Sequence, residues 1–154
     1  MLKNIIQFLN KEKQTLSVAE SITGGNLSSS FISESGASNF FLGSVVTYSK
    51  NSKIEILNIS SEDLQNNSLV SEYVSKNMAE SCKKLFKSSY SISTTGNAGP
   101  KTNDSVSNVG QVFISVASKS GIFTEEFNFK GTRKEIIEQT VENAHKILYK
   151  NLIK

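Results

Sequence analysis

A chain of 154 residues, 37% of them hydrophobic and 20% charged, is long enough for one domain with a closed core and too short for two separately cored units. Its net charge of +3 comes from lysines scattered among Asn, Ser and Glu, which argues against a nucleic-acid surface, and no apolar run approaches the roughly 20 residues of a membrane span. The single cysteine, Cys82, excludes an internal disulfide and a multi-cysteine metal cluster. It agrees with a reducing, cytoplasmic setting, as does an N-terminus that alternates charged and apolar residues and does not form a secretory leader.

Leu2, Ile5, Ile6 and Leu9 form one apolar stripe at helical spacing and predict a first helix ending near Lys13. Leu16, Val18 and Ala19 predict a short buried strand. Ser21, Thr23, Gly24 and Gly25 follow as a turn, and Leu27, Phe31 and Ile32 as a helix. Ser44 to Tyr48 reads as a second strand, Lys50 to Leu57 as a short helix, and Ser60 to Ser68 as another short helix or a loop. Ser71 is an N-cap with Glu72 beside it, ahead of a helix whose face runs through Val74, Met78, Cys82 and Leu85.

Tyr90, Ile92 and Thr94 alternate as a strand running into Gly96-Asn97-Ala98-Gly99-Pro100. From there to Val109 the residues read as too polar and irregular to pack, in a loop long enough to cover a site. Val112, Ile114 and Val116, a turn at Lys119-Ser120-Gly121, and Phe123 through Phe129 predict a hairpin. A last helix starts near Thr132 and buries Ile137, Val141, Ala144 and Leu148. This order is neither a clean βαβ series nor all-β, and predicts a single three-layer α/β/α domain with a mixed sheet over residues 1–154.

Proton-transfer chemistry is constrained by what is scarce. The only histidine, His145, lies beside the apolar face of the last helix and reads as a boundary residue, so a Ser-His-Asp arrangement has no evident base. Zinc sites with several His or Cys ligands are excluded by count, Glu125-Glu126 reads as a solvated strand edge, and Cys82 falls on a core stripe. Serine activated by lysine remains, since burial can lower an amine's pKa until the free base is available. Ser21 ends a strand just before a helix, where backbone N–H groups can hold an anionic oxygen, and Lys53 follows Tyr48 by five positions. Each also has an ordinary alternative: Ser21 as an N-cap, Tyr48 as a boundary aromatic, Lys53 as a surface cation.

Ala19-Glu20-Ser21-Ile22-Thr23-Gly24-Gly25, Gly36-Ala37-Ser38 with Phe41, Val46-Thr47-Tyr48-Ser49 with Lys53, Val70-Ser71-Glu72, Thr95 through Pro100, and Val109-Gly110 occur in this order along the chain from Ser17 onward. Together they resemble the CinA C-terminal domain family. That family resembles nicotinamide-nucleotide amidohydrolases, which convert nicotinamide mononucleotide to nicotinate mononucleotide and ammonia. It also occurs fused behind a molybdopterin-binding-like domain in competence/damage-inducible proteins; this chain resembles the standalone form.

The resemblance implies Ser21 as nucleophile, Lys53 as its base and Tyr48 as a hydroxyl that orients or relays between them. It also implies a substrate pocket lined by Glu20, Thr23, Gly24, Gly25, Ser38, Thr95 and Gly96. No metal or organic cofactor is implied. The expected partner is a small-molecule nucleotide, with no nucleic acid and no membrane, and homo-oligomerisation left open. A non-catalytic nucleotide-binding or regulatory module of the same fold is the rival reading. The chain departs from the family pattern at Ser44, Lys50, Asn97, Lys101, Thr102 and Asn108, mostly in turns and in the covering loop.

Overall fold

The computed structural model describes residues 1–153. In chain order the elements are α1 (Leu2–Lys11), β1 (Leu16–Glu20), α2 (Asn26–Ile32), a 3₁₀ turn (Ala37–Asn39), β2 (Phe41–Val46), α3 (Lys50–Leu57), α4 (Ser61–Asn66), α5 (Glu72–Phe86), β3 (Tyr90–Gly96), β4 (Gln111–Ser118), β5 (Gly121–Asn128) and α6 (Arg133–Leu152). The strands make one five-stranded sheet in the order β2-β1-β3-β4-β5. β2, β1 and β3 run parallel, while β4 and β5 are antiparallel to their neighbours, so the sheet is mixed.

Two apolar clusters hold the layers together. Ile5, Leu9, Leu27, Phe31, Ala144 and Leu148 join α1, α2 and α6 to one face of the sheet. Val74, Met78 and Cys82 of α5 cover the other face with Leu57, Ile59 and Leu64. The result is an α/β/α sandwich, and no helix among the described residues is long and apolar enough to cross a membrane.

This topology creates a crevice at one end of the sheet. The connection from β1 to β2 carries α2 on the face shared with α6, whereas the connection from β2 to β3 carries α3 and α5 on the opposite face. Adjacent parallel strands whose following segments diverge to opposite faces leave a gap at their carboxyl ends, where open α/β sheets place ligands. Ser21 follows β1 and Lys53 follows β2, so both lie at that end.

Four expectations need correction. The second strand is Phe41–Val46, displaced toward the N-terminus from Ser44 to Tyr48. Phe41 stacks on Phe31 and starts the strand early, and after Thr47 N–H donates to Glu20 O at 2.8 Å the chain leaves the sheet. Leu85 is 51% exposed, because the α5 face that meets the sheet follows the four-residue steps Val74, Met78, Cys82 and the next residue on it would be Phe86. In α6 the deeply buried residues are Ile136, Thr140, Ala144, Ile147 and Leu148; Ile137 and Val141 lie on its half-buried flank.

The Gly96 to Val109 segment also packs more than its polarity predicts. Asn97, Ala98 and Ser107 are buried. The Asp104 carboxylate accepts from Ser68 Oγ, from the N–H groups of Val106 and Ser107 and from Ser107 Oγ, and Asn97 accepts from Asn103 N–H and donates to Ser107 Oγ. Burial alone would raise the Asp104 pKa; the hydrogen bonds from Ser68, Ser107 and Val106 outweigh it and hold the carboxyl at about 2. Asp104 therefore contributes stability above its unfolded pKa, and that contribution is lost as pH falls toward 2. Asp104→Ala should release the segment. Hydrogen exchange at Val106 and Ser107 is expected to accelerate strongly while protection in β1 and β3 stays unchanged; unchanged exchange in the segment would show that Asp104 does not hold it.

Candidate active site

Among the described residues only two charged side chains are buried, Glu20 and Lys53. Both belong to the same corner of the fold, and they do different work.

Glu20 ends β1 and turns inward. Its carboxylate accepts from the N–H groups of Gly25, Leu27 and Ser28 at 2.9 to 3.0 Å and from Ser28 Oγ. Those donors are the unsatisfied amides at the start of α2, whose N-cap is Gly25, so Glu20 supplies the anion that the helix N-terminus favours. Gly24 and Gly25 have φ of +55° and +106°, a conformation that an L side chain resists, and a Cβ on either would meet nothing within 4 Å. They are glycines for the sake of the backbone. With Glu20 clamping it, the turn holds Ser21 fixed, its N–H bonded to Thr94 O at 3.0 Å.

Lys53 lies in α3, whose start is set by a capping box between Ser49 and Ser52. Its side chain runs inward, 1% exposed, and Nζ donates to Ser21 Oγ at 3.0 Å and to Thr47 O at 2.5 Å. The reading of Lys53 as a surface cation is therefore wrong, and so is that of Ser21 as the helix cap. Among the described residues no carboxylate pairs with Lys53. Burial alone pulls its pKa from 10.5 down to about 8, which makes the free amine accessible near neutral pH. A free amine beside a serine hydroxyl can take its proton, and the serine oxygen then becomes a nucleophile.

The other anticipated site residues divide into two groups. Tyr48 and Gly96 line the cleft onto which Ser21 opens, a narrow space of about 60 Å³ also bounded by Asn97, Lys101, Asn103 and Arg133. Tyr48 does not stand between Ser21 and Lys53, which touch directly; its hydroxyl accepts from Arg133 Nη2 at 2.9 Å. Thr23 and Thr95 are buried beneath the cleft. Thr23 Oγ1 bonds Thr94 Oγ1 at 2.8 Å and Thr95 Oγ1 donates to Leu69 O at 2.7 Å, so both brace the backbone.

Within this chain Ser38 does not line the cleft. It is exposed in the turn that precedes β2, and Phe41 pairs with Leu16, the first residue of β1. In a parallel pair this is the end of the strands opposite to Ser21, about 17 Å away for five residues at 3.3 Å each. Glu20 likewise faces α2 and not the cleft.

Arg133 was not anticipated. It donates from Nη1 to Gly99 O at 2.6 Å and from Nη2 to Tyr48, tying the two walls of the cleft together. A signal existed: Arg133 and Lys134 open α6, where the helix macrodipole disfavours cations. A roomier groove, about 680 Å³ along α6, shares only Arg133 with the cleft and contains neither Ser21 nor Lys53. His145 lines it. Burial pulls its pKa down to about 4, Ser30 Oγ lies 2.8 Å from its Nε2, and its ring packs on Phe31, which agrees with a neutral boundary residue.

A CinA-like protein of Flavobacterium psychrophilum is 42% identical over 148 residues, covering 96% of this chain and 35% of that protein, so the chain spans about a third of its relative's length. Among solved structures, the competence-damaged protein (CinA) superfamily protein of Klebsiella pneumoniae 700603 superposes with a TM-score of 0.95 at 27% identity, covering 99% of this chain and 95% of that one. The competence/damage inducible protein CihA of Agrobacterium tumefaciens gives 0.94 at 26% identity, covering 99% and 93%. A model described as the CinA C-terminal domain matches residues 1–152, and with these likenesses in sequence and fold the chain belongs to that family.

Proposed function

We propose that the protein is a cytoplasmic amidohydrolase that cleaves the carboxamide of nicotinamide mononucleotide through an acyl-enzyme on Ser21. The observation that carries this reading is the contact between the buried Lys53 amine and Ser21 Oγ at 3.0 Å, at the mouth of a strand-end crevice. Lys53 takes the Ser21 proton as Oγ attacks the amide carbon. The C–N bond then breaks, the ammonium of Lys53 returns a proton to the departing ammonia, and water hydrolyses the ester. The N–H groups of Ile22 and Thr23, which have no backbone acceptor in the turn, are candidates for stabilising the oxyanion. Release of ammonia from nicotinamide mononucleotide tests the reading. A non-catalytic nucleotide-binding module gains support from the closed cleft that Arg133 straps, and is told apart by binding without ammonia release.

Among the described residues the cleft is lined by two cations, Lys101 and Arg133, and by no carboxylate, which suits an anionic substrate. Lys101 is one of the positions at which the chain departs from the family pattern. One charge-assisted contact to a phosphate contributes on the order of 1.5 to 3 kcal/mol. Lys101→Ala should therefore reduce kcat/KM for the nucleotide by at least about tenfold while barely affecting the unphosphorylated nucleoside. Equal losses for both substrates would return Lys101 to the solvent.

A further inference from the structure

Thr47 occupies a contradictory position. It is fully buried, its carbonyl accepts from Lys53 Nζ at 2.5 Å, and yet its own hydroxyl has no hydrogen-bond partner. A buried hydroxyl left unpaired is destabilising, and valine would fill nearly the same volume without that cost.

The amine next to it has the complementary deficit. A free Lys53 amine is satisfied by one N–H to Thr47 O and by its lone pair receiving the Ser21 hydroxyl, with one further N–H in hand. Once Nζ has taken the Ser21 proton it becomes an ammonium with three N–H groups. The structure gives it two acceptors, Ser21 Oγ and Thr47 O. The spare hydroxyl belongs to the very residue whose carbonyl anchors the amine, and rotation about its Cα–Cβ bond redirects it between staggered positions.

Resting on the Ser21 and Lys53 reading above, we propose that the Thr47 hydroxyl is the reserve acceptor for the Lys53 ammonium, a positioning group that stabilises the proton on Nζ while the acyl-enzyme forms. The reacting bonds are those already described; the O–H bond of Ser21 breaks, an N–H bond forms on Lys53, and Thr47 gives and takes no proton. The other titratable groups around Lys53 have their own partners. Glu20 of β1 is held by the α2 amides, Tyr48 after β2 by Arg133 of α6, and Cys82 of α5 by Ser17. Thr47 is therefore the group left to respond.

The test is Thr47→Val in the full chain, with Thr47→Ser as control. The Lys53 titration is followed by NMR on protein carrying ¹³C at lysine Cε, a readout that does not depend on turnover. The expected result is a Lys53 pKa lower in Thr47→Val by about one unit, a tenfold shift in proton affinity, restored in Thr47→Ser, with a thermal midpoint no lower than wild type. With nicotinamide mononucleotide at a pH above both midpoints, where Lys53 is the free amine in either protein, kcat should fall about tenfold at unchanged KM. A Lys53 pKa that is the same in wild type and Thr47→Val overturns the proposal even if the protein proves to be an amidohydrolase. A shifted pKa without any ammonia release upholds the contact and removes the catalytic reading instead. Should Thr47→Val lose its fold, Thr47→Ser and Thr47→Ala provide the same comparison, and a pKa that does not follow the hydroxyl across them refutes it.

Discussion

Ser21→Ala is expected to lose ammonia release by at least about a thousandfold, with a fold indistinguishable from wild type. The large catalytic effect follows from removing the oxygen that forms the ester. The small structural effect follows from the local architecture. Ser21 does not cap α2, a position held by Gly25, and its turn is maintained by Glu20 and by the Ser21 N–H, neither of which the substitution touches. Ammonia assayed alongside thermal unfolding separates the two effects. A variant that unfolds at the wild-type midpoint and still releases ammonia at more than a tenth of the wild-type rate would sink the nucleophile assignment.

Lys53 carries the second large effect, and stability and activity should move apart. With its pKa at about 8 against 10.5 unfolded, the folded state binds fewer protons than the unfolded one between those values. The sign is therefore destabilising at and below neutrality, and stability rises as pH climbs through about 8 toward 10.5. The depression corresponds to a penalty on the order of 3 kcal/mol at pH 7. Lys53→Met, similar in length and uncharged, should be inactive and yet more stable than wild type at neutral pH. Lys53→Arg should be inactive and less stable, because a guanidinium is larger and stays protonated.

The same depression predicts kcat/KM rising with pH to a midpoint near 8 in wild type. A flat profile between pH 6 and 9, or substantial turnover in Lys53→Arg, would leave Lys53 as a charge that merely holds substrate.

The sequence by itself determined most of the layer structure. Helical spacing in α1, α5 and α6 and alternation in β3 and β4 are local signals, set by how often an apolar side chain must return to the same side of a helix or strand. The cap at Ser71 was legible because capping chemistry is also local. The serine, tyrosine and lysine were legible as residue types in a spaced pattern, but their relation was not. Lys53 sits on a helix with almost no amphipathic signal, and only the packing of α3 against the strand ends buries it.

Tertiary structure alone decided the rest. Glu20 and Ser21 are neighbours in sequence, but adjacent residues at the end of a strand point to opposite sides, so one clamps α2 and the other meets Lys53. Ser38 went to the far end of the sheet because parallel register aligned Phe41 with Leu16. Arg133 reached the cleft from the last helix, and Asp104 gathered a polar loop into buried order. Each of these joins segments distant in sequence, and no local preference of either segment specifies the partner. The topology of the sheet does, by bringing the carboxyl ends of β1, β2 and β3 to a single edge.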